Sequence, residues 1–355
     1  MSGADGSFSA RLSRWQRAHG RQHLPWQGTR DPYRIWLSEI MLQQTQVGAV
    51  IPYFERFLAR FPDVTALAAA AEDEVLVLWS GLGYYARARN LHRAARVVMA
   101  QHGGCFPASA AALESLPGVG RSTAAAVAAF AFGERGAILD GNVKRVLARH
   151  AGVEGWPGEP AVTARLWEIA EARLPVSGIE AYTQGLMDLG SMVCTRGRPR
   201  CLQCPVTEDC VAHQANAVER LPAARPLRVL PERHTALLIL DCCGQVLLEK
   251  RPASGIWGGL WSFPELAVDD DPATGARRRF GLEASSAEIL GTVDHGFTHF
   301  RLRMHPVRLK VPAQARCSPG EPGLLWQRPA QAAAAAVPAP IRRILLKLDP
   351  GGAAG

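Results

Sequence analysis

The sequence changes character once, at the proline-marked stretch from Leu221-Pro222 to Pro231, and any fold must respect that break. Before it, from Phe8 to about Arg220, segments rich in Ala, Leu and Arg follow one another with helical spacing. They are punctuated by Asp31-Pro32, Phe61-Pro62, Gly81-Leu82-Gly83, Phe106-Pro107 and Pro117-Gly118. After it come two short apolar runs, His234 to Leu240 and Gln245 to Lys250, separated by Asp241-Cys242-Cys243-Gly244 as in a hairpin. A strand-like Phe300 to Val311 and a helix-like Ala339 to Lys347 follow. At 355 residues the chain exceeds one typical core. The expectation is a multi-domain protein: an all-α domain over residues 8–220, a linker over 221–232, an α+β domain over 233–348, and disordered ends.

Apolar residues make up 48% of the chain and charged ones 20%, the balance of a folded protein rather than a disordered one. A formal charge of +8 suits a polyanionic partner, and equally suits an ordinary basic enzyme. No apolar run approaches the ~20 residues that span a bilayer, and Met1 to Ser7 carries no signal pattern. A soluble, cytoplasmic protein with no membrane partner is expected.

Ser109 to Leu116 and Arg121 to Phe132 read as two helices joined tightly by Pro117-Gly118-Val119-Gly120, which makes a helix-hairpin-helix. Gly118 and Gly120 permit backbone conformations that other residues resist. The second helix then opens with unpaired amide N–H groups, which attract a phosphate without reading sequence. An ordinary helical turn would use the same residues.

Four of the eight cysteines crowd together. Six residues separate Cys194 from Cys201, two separate Cys201 from Cys204, and five separate Cys204 from Cys210. In so large a chain this reads as a metal site rather than a disulfide framework. Zinc and an iron-sulfur cluster both suit four thiolates. The spacing favours iron-sulfur, because zinc ribbons use two short pairs and this segment has one. Arg196, Arg198 and Arg200 lie in the first interval, where a stapled loop would hold them toward a nucleic-acid backbone.

Two carboxylates stand out. Glu39 lies in the helical pattern Trp36 to Gln46 between large apolar residues, so its carboxyl is expected to be partly desolvated, with the raised pKa a general acid needs. Asp140 follows Ala137-Ile138-Leu139 and precedes Gly141-Asn142-Val143, where it can cap a helix and still act in chemistry. Cleaving an N-glycosidic bond builds positive charge on the sugar and negative charge on the departing base, so one acid and one persistent carboxylate form the minimum pair.

With these residues assembled, the chain resembles the adenine DNA glycosylases (the MutY family) of the helix-hairpin-helix superfamily, which also contains endonuclease III. The resemblance runs from about residue 8 to 345 and rests on Leu24-Pro25-Trp26, Trp36 to Gln46, Gly81 to Asn90, Leu116 to Thr123, Ile138 to Arg149 and the four cysteines. It implies an all-α helix-hairpin-helix glycosylase domain with a [4Fe-4S] cluster loop, and a monomer acting on double-stranded DNA. It further implies that Glu39 protonates adenine at N7, that Asp140 stabilises an oxocarbenium-like transition state, and that water completes hydrolysis. Arg21, Trp26 and Gln184 match positions lining the adenine pocket. Gln44 and Tyr84 match a wedge that props open the base stack, with Thr45 and Leu82 near the opposing base. Relatives that also nick DNA carry a Schiff-base lysine where this chain has Ser122, so base removal alone is implied.

The second domain resembles a Nudix (MutT-like) fold, because Trp257 to Glu265 matches the start of its motif. A working Nudix hydrolase then needs a glutamate cluster for magnesium; this chain has Arg277-Arg278-Arg279. Binding rather than pyrophosphate hydrolysis is expected. Adenine is undamaged, so its removal must be licensed by the opposite base. Phe297-Thr298-His299 resembles the family's 8-oxoguanine recognition loop, with Thr298 where serine is usual; its hydroxyl can accept from N7–H or donate to the C8 oxygen. The substrate expected is A:8-oxoguanine, with A:G second. Three readings compete: an endonuclease III-like glycosylase-lyase on oxidised pyrimidines using Lys144, a non-catalytic DNA-binding redox sensor, and a nucleotide pyrophosphatase.

Overall fold

The computed structural model describes residues 6–227, 229–312 and 322–349; the chain ends expected to be disordered, 1–5 and 350–355, lie outside the described residues. The chain divides into two compact units. Residues up to 69 together with 90–227 form the first, and 70–89 together with 228–355 form the second.

The first unit is helical, and its local signals are those of the sequence. Ser7, Asp31, Ser109 and Asp140 each cap a helix by accepting from a backbone N–H in its first turn, and Pro32 occupies the first helical position after Asp31. The helix Arg121–Phe132 spans the residues expected and ends at Gly133 in the left-handed conformation. Its buried alanines, Ala124 to Ala126, Ala128 and Ala129, are small enough to let neighbouring helices close around it. Helix Phe8–His19 packs on helix Ile179–Asp188, where a Cβ on Gly185 would lie 3.1 Å from Leu12. Leu12, Leu147, Leu166, Tyr182 and Leu186 form the centre of this core.

The second unit is built on a mixed sheet of eight strands among the described residues: β1 (Glu232–Cys242), β2 (Gln245–Lys250), β3 (Trp261–Ser262), β4 (Glu265–Leu266), β5 (Ser286–Ile289), β6 (Val293–Gly296), β7 (Arg301–Lys310) and β8 (Leu324–Gln327). The main path runs β3-β2-β1-β7-β5, with β1 and β7 parallel. Cys242 pairs with Gln245, so the β1–β2 turn is only Cys243-Gly244, both at positive φ (52° and 78°), the geometry of a two-residue hairpin. The apolar run in β1 is continuous because both faces are covered. Leu237 and Ile239 pack toward helices Pro329–Ala334 and Ala339–Leu348, and Ala236, Leu238 and Leu240 toward helix Pro272–Phe280.

Residues 70–89 group with the second unit through an ion pair from Asp73 to Lys250 (2.7 Å) and through the Ser80 and Tyr85 hydroxyls near the Val337 carbonyl at 3.4 and 3.3 Å. Such pairings form only between distant parts of the chain, so local pattern does not announce them.

Candidate active site

A cavity of about 510 Å³ opens in the first unit, lined by Arg21, Trp26, Glu39, Leu42, Phe130 and Gln184 among others. Glu39 is carried by helix Pro32–Leu42, whose Trp36, Leu37, Ile40 and Met41 are buried and fix which way the helix faces. Glu39 itself is half-buried and lines the cavity. Burial, and next the nearby charge of Asp140, push its pKa up from the ordinary 4.5 to about 8. At neutral pH Glu39 holds a proton.

Asp140 comes from the turn ahead of helix Gly141–Ala151, and its Oδ1 accepts from the Val143 N–H at 2.7 Å. Burial raises its pKa, while the Val143 and Asn142 N–H groups and the Arg145 guanidinium pull it back toward the charged form. Ser122 acts one residue earlier: its hydroxyl accepts from the Leu139 N–H at 2.9 Å, which ties the hairpin's second helix to the loop delivering Asp140. Burial raises both carboxyls, but only Asp140 has the Val143 and Asn142 N–H groups and the Arg145 guanidinium working back toward the anion, whereas Asp140 itself pushes Glu39 further toward holding its proton.

Arg21 and Gln184 meet on a residue that the sequence reading missed. Asp188 is 0% exposed; its Oδ1 accepts from Arg21 Nε (2.7 Å), Arg21 Nη2 (2.6 Å) and Gln184 Nε2 (2.9 Å), and its Oδ2 from the Arg21 N–H (2.9 Å). Both pocket side chains are thereby held by one buried anion. Trp26 is 7% exposed and meets Phe54 edge-on at 5.3 Å. Asp188→Ala is expected to lower stability by about 3 kcal/mol, because Arg21 loses its counter-charge, and to weaken excision as well. Chemical denaturation and a single-turnover assay measure the two effects.

The hairpin glycines have separate reasons. Gly118 sits at φ 79°, and a Cβ there would lie 2.6 Å from the Asn90 Cβ. Gly120 caps helix Arg121–Phe132 without a side-chain bond, and a Cβ on it would meet nothing within 4 Å. Gln44 and Tyr84 are both exposed and both in the left-handed conformation (φ 57° and 49°), a cost that non-glycine residues carry mainly at functional positions. Thr45 donates its hydroxyl proton to the Gln43 carbonyl at 3.3 Å, and Leu82 is buried. Lys144 donates to the Pro157 carbonyl (2.9 Å) and the Thr163 hydroxyl (3.2 Å).

Cys194, Cys201, Cys204 and Cys210 are free thiols lining one pocket. Among the described residues no group of three or more His, Cys, Asp or Glu is set to hold a single metal ion. Donors are nonetheless aimed at the sulfurs: Arg149 Nη1 lies 3.4 Å from Cys194 Sγ, backbone N–H groups of Val206 and of Ala212 and His213 point at Cys204 and Cys210, and Arg145 Nε holds the Cys194 carbonyl at 2.8 Å. Such donors stabilise thiolate charge. Arg196, Arg198 and Arg200 are exposed on the same loop.

In the second unit, Phe297-Thr298-His299 forms the tip between β6 and β7, closed by the Phe297 N–H donating to the Phe300 carbonyl at 2.9 Å. Phe297 stacks on Phe300 at 4.5 Å, and His299 meets Phe300 edge-on at 4.8 Å, so buried Phe300 anchors the tip. Thr298 and His299 are exposed. On helix Pro272–Phe280, Arg277, Arg278 and Arg279 pair with Glu283, Asp270 and Glu249.

Residues 37–172 match the family described as HhH-GPD superfamily base excision DNA repair protein, and residues 235–347 match the NUDIX domain. An adenine DNA glycosylase of Buchnera aphidicola is 32% identical over 95% of this chain and 96% of its own length. The human adenine DNA glycosylase is 32% identical over 95% of this chain and 73% of its own. This chain belongs to the adenine DNA glycosylase family. Family membership leaves the endonuclease III-like lyase reading without support. Among solved structures, a thermostable thymine-DNA glycosylase is similar at TM-score 0.54 and 31% identity, covering 59% of this chain and 95% of its own. A trapped endonuclease III–DNA covalent intermediate is similar at TM-score 0.50 and 21% identity, covering 58% and 94%, a likeness of fold. DNA is the substrate class of the family. No helix of the described residues is long and apolar enough to cross a membrane.

Proposed function

We propose that this chain hydrolyses the N-glycosidic bond of adenine mispaired with 8-oxoguanine, and less readily with guanine, leaving the strand intact. The observation that carries the proposal is Glu39 lining a cavity of about 510 Å³, roomy enough for a nucleobase, with burial and nearby Asp140 raising its pKa to about 8. An adenine turned out of the stack enters this cavity against Trp26, with Arg21 and Gln184 presented by Asp188. Glu39 gives its proton to N7, the bond to the sugar breaks, the carboxylate of Asp140 stabilises the cationic sugar, and water adds to C1′. Ser122 offers no amine at the hairpin, so the sugar is not captured as a Schiff base.

Extruding the base costs a few kcal/mol of stacking and pairing, which Gln44, Tyr84, Thr45 and Leu82 offset by filling the gap. The amides after Gly118 and Gly120 hold a backbone phosphate. Gly118→Ala is expected to strain the hairpin by about 1–2 kcal/mol, given its left-handed φ and the Asn90 contact. Duplex affinity, measured by anisotropy across a salt series, should fall with little change in preference among mispairs.

The four cysteines and the N–H donors around them fit a [4Fe-4S] cluster, which when bound would staple residues 194–210 and hold Arg196, Arg198 and Arg200 outward. Phe297, Thr298 and His299 read the opposite base, the threonine hydroxyl distinguishing 8-oxoguanine from guanine; the protein acts as a monomer. The testing experiment is excision across labelled A:8-oxoguanine, A:G and A:T duplexes. Alkali-sensitive sites are expected in that order of rate, with no strong borohydride-trapped adduct. No site opposite 8-oxoguanine, or an adduct lost on Lys144→Ala, would overturn the reading.

A further inference from the structure

Tyr84 holds a backbone conformation that its own side chain disfavours, so its neighbours must impose it. The turn runs through Gly81 (φ 107°), Leu82, Gly83 (φ 74°) and Tyr84 (φ 49°) into helix Ala86–His102. Two side chains grip its carbonyls. Trp79 Nε1 donates to the Gly83 carbonyl at 3.1 Å, and Arg87 Nη2 donates to the Gly83 and Leu82 carbonyls at 3.2 and 3.4 Å. The Arg87 guanidinium also lies over two rings, 5.3 Å from the Trp79 centroid and 5.6 Å from that of Tyr84. Arg87 is 9% exposed, whereas Tyr84 is 51% exposed. Burial lowers the Arg87 pKa to about 10, which leaves it charged at neutral pH.

We propose that Arg87 is a positioning residue for strand invasion: it locks the Leu82–Tyr84 turn and supports the Tyr84 ring, so that the ring is ordered before DNA arrives. The proposal rests on the wedge reading of Tyr84 given above. A guanidinium can donate in its plane to carbonyls while offering its faces to aromatic rings, and both uses are made here. A lysine supplies charge without the planar fork. Ordering the wedge in advance spares that ordering during base extrusion, and so acts on the rate of excision more than on ground-state affinity.

A double-mutant cycle on the full chain tests this. Arg87→Met is expected to lower single-turnover adenine excision from A:8-oxoguanine duplex about tenfold in an otherwise natural chain, and less than about twofold beside Tyr84→Ala. Arg87→Lys, which keeps charge and length, is expected to lose about fivefold, and carries the same cycle if the methionine variant does not fold. Fluorescence of 2-aminopurine beside the target should show reduced unstacking in step with the rate. Equal losses in both backgrounds would overturn the role of Arg87 while leaving the wedge reading intact, as would a fully active lysine variant. A Tyr84→Ala chain with an undiminished rate would remove the wedge reading and this proposal together.

Discussion

Glu39→Gln is expected to lower single-turnover adenine excision by about a thousandfold, with duplex affinity held within about threefold. Glutamine keeps the shape and the hydrogen-bonding reach of the side chain and loses only the transferable proton. A variant that binds as before and does not cut separates catalysis from recognition, and it excludes a purely DNA-binding protein. The same substitution should make the protein more stable at alkaline pH. The native state holds the Glu39 proton up to about pH 8, whereas an unfolded chain releases it near 4.5. Between those values the folded state binds the extra proton, so this group's contribution to stability falls as pH rises through the window. The glutamine variant has no such loss. Its advantage should be absent near pH 4.5 and grow with pH to at most about 4 kcal/mol by pH 8, as measured by denaturation at the two pH values.

Asp140→Asn is expected to be nearly as damaging, about 10² to 10³-fold in single-turnover rate, because a neutral amide cannot stabilise a cationic sugar. Fold stability should change little. Asparagine caps a helix about as well as aspartate, so the bond to the Val143 N–H survives. Asp140→Ala would lose charge and cap together, with an added cost of about 1 kcal/mol. The pair of variants distinguishes the carboxylate's two jobs. The natural enzyme should also lose activity as pH falls through the pKa of Asp140, which burial places above the ordinary aspartate value. That acid limb should vanish in the asparagine variant.

Much of this site was legible from local pattern. Apolar neighbours on both sides of Glu39 already pointed to a desolvated carboxyl, in keeping with its raised pKa, and Asp140 before Gly141-Asn142-Val143 already read as the cap it forms. Glycines and prolines marked the hairpin, and the two apolar runs on either side of Asp241-Cys242-Cys243-Gly244 marked the β-turn. Asp188 was not legible. It is a single acid in the apolar string Gly185 to Gly190, and its meaning comes from Arg21, 167 positions away. Arg87 was hidden for a related reason, since a stretch rich in arginine reads as solvated surface, and only the fold shows that one of them is buried between rings. The grouping of residues 70–89 with the second unit rests on Lys250 and Val337, which no window around Asp73 or Ser80 contains. Local signals fix caps, turns and periodicity, while partners far apart in the chain decide which polar side chains are held and against what.

The most direct measurement is the pH dependence of single-turnover adenine excision from an A:8-oxoguanine duplex by the natural protein. If Glu39 is the acid, the rate should hold up to about pH 8 and then fall about tenfold for each further pH unit, and the residual rate of Glu39→Gln should show no such break. A rate that stays level or rises between pH 8 and 10 would contradict the assignment.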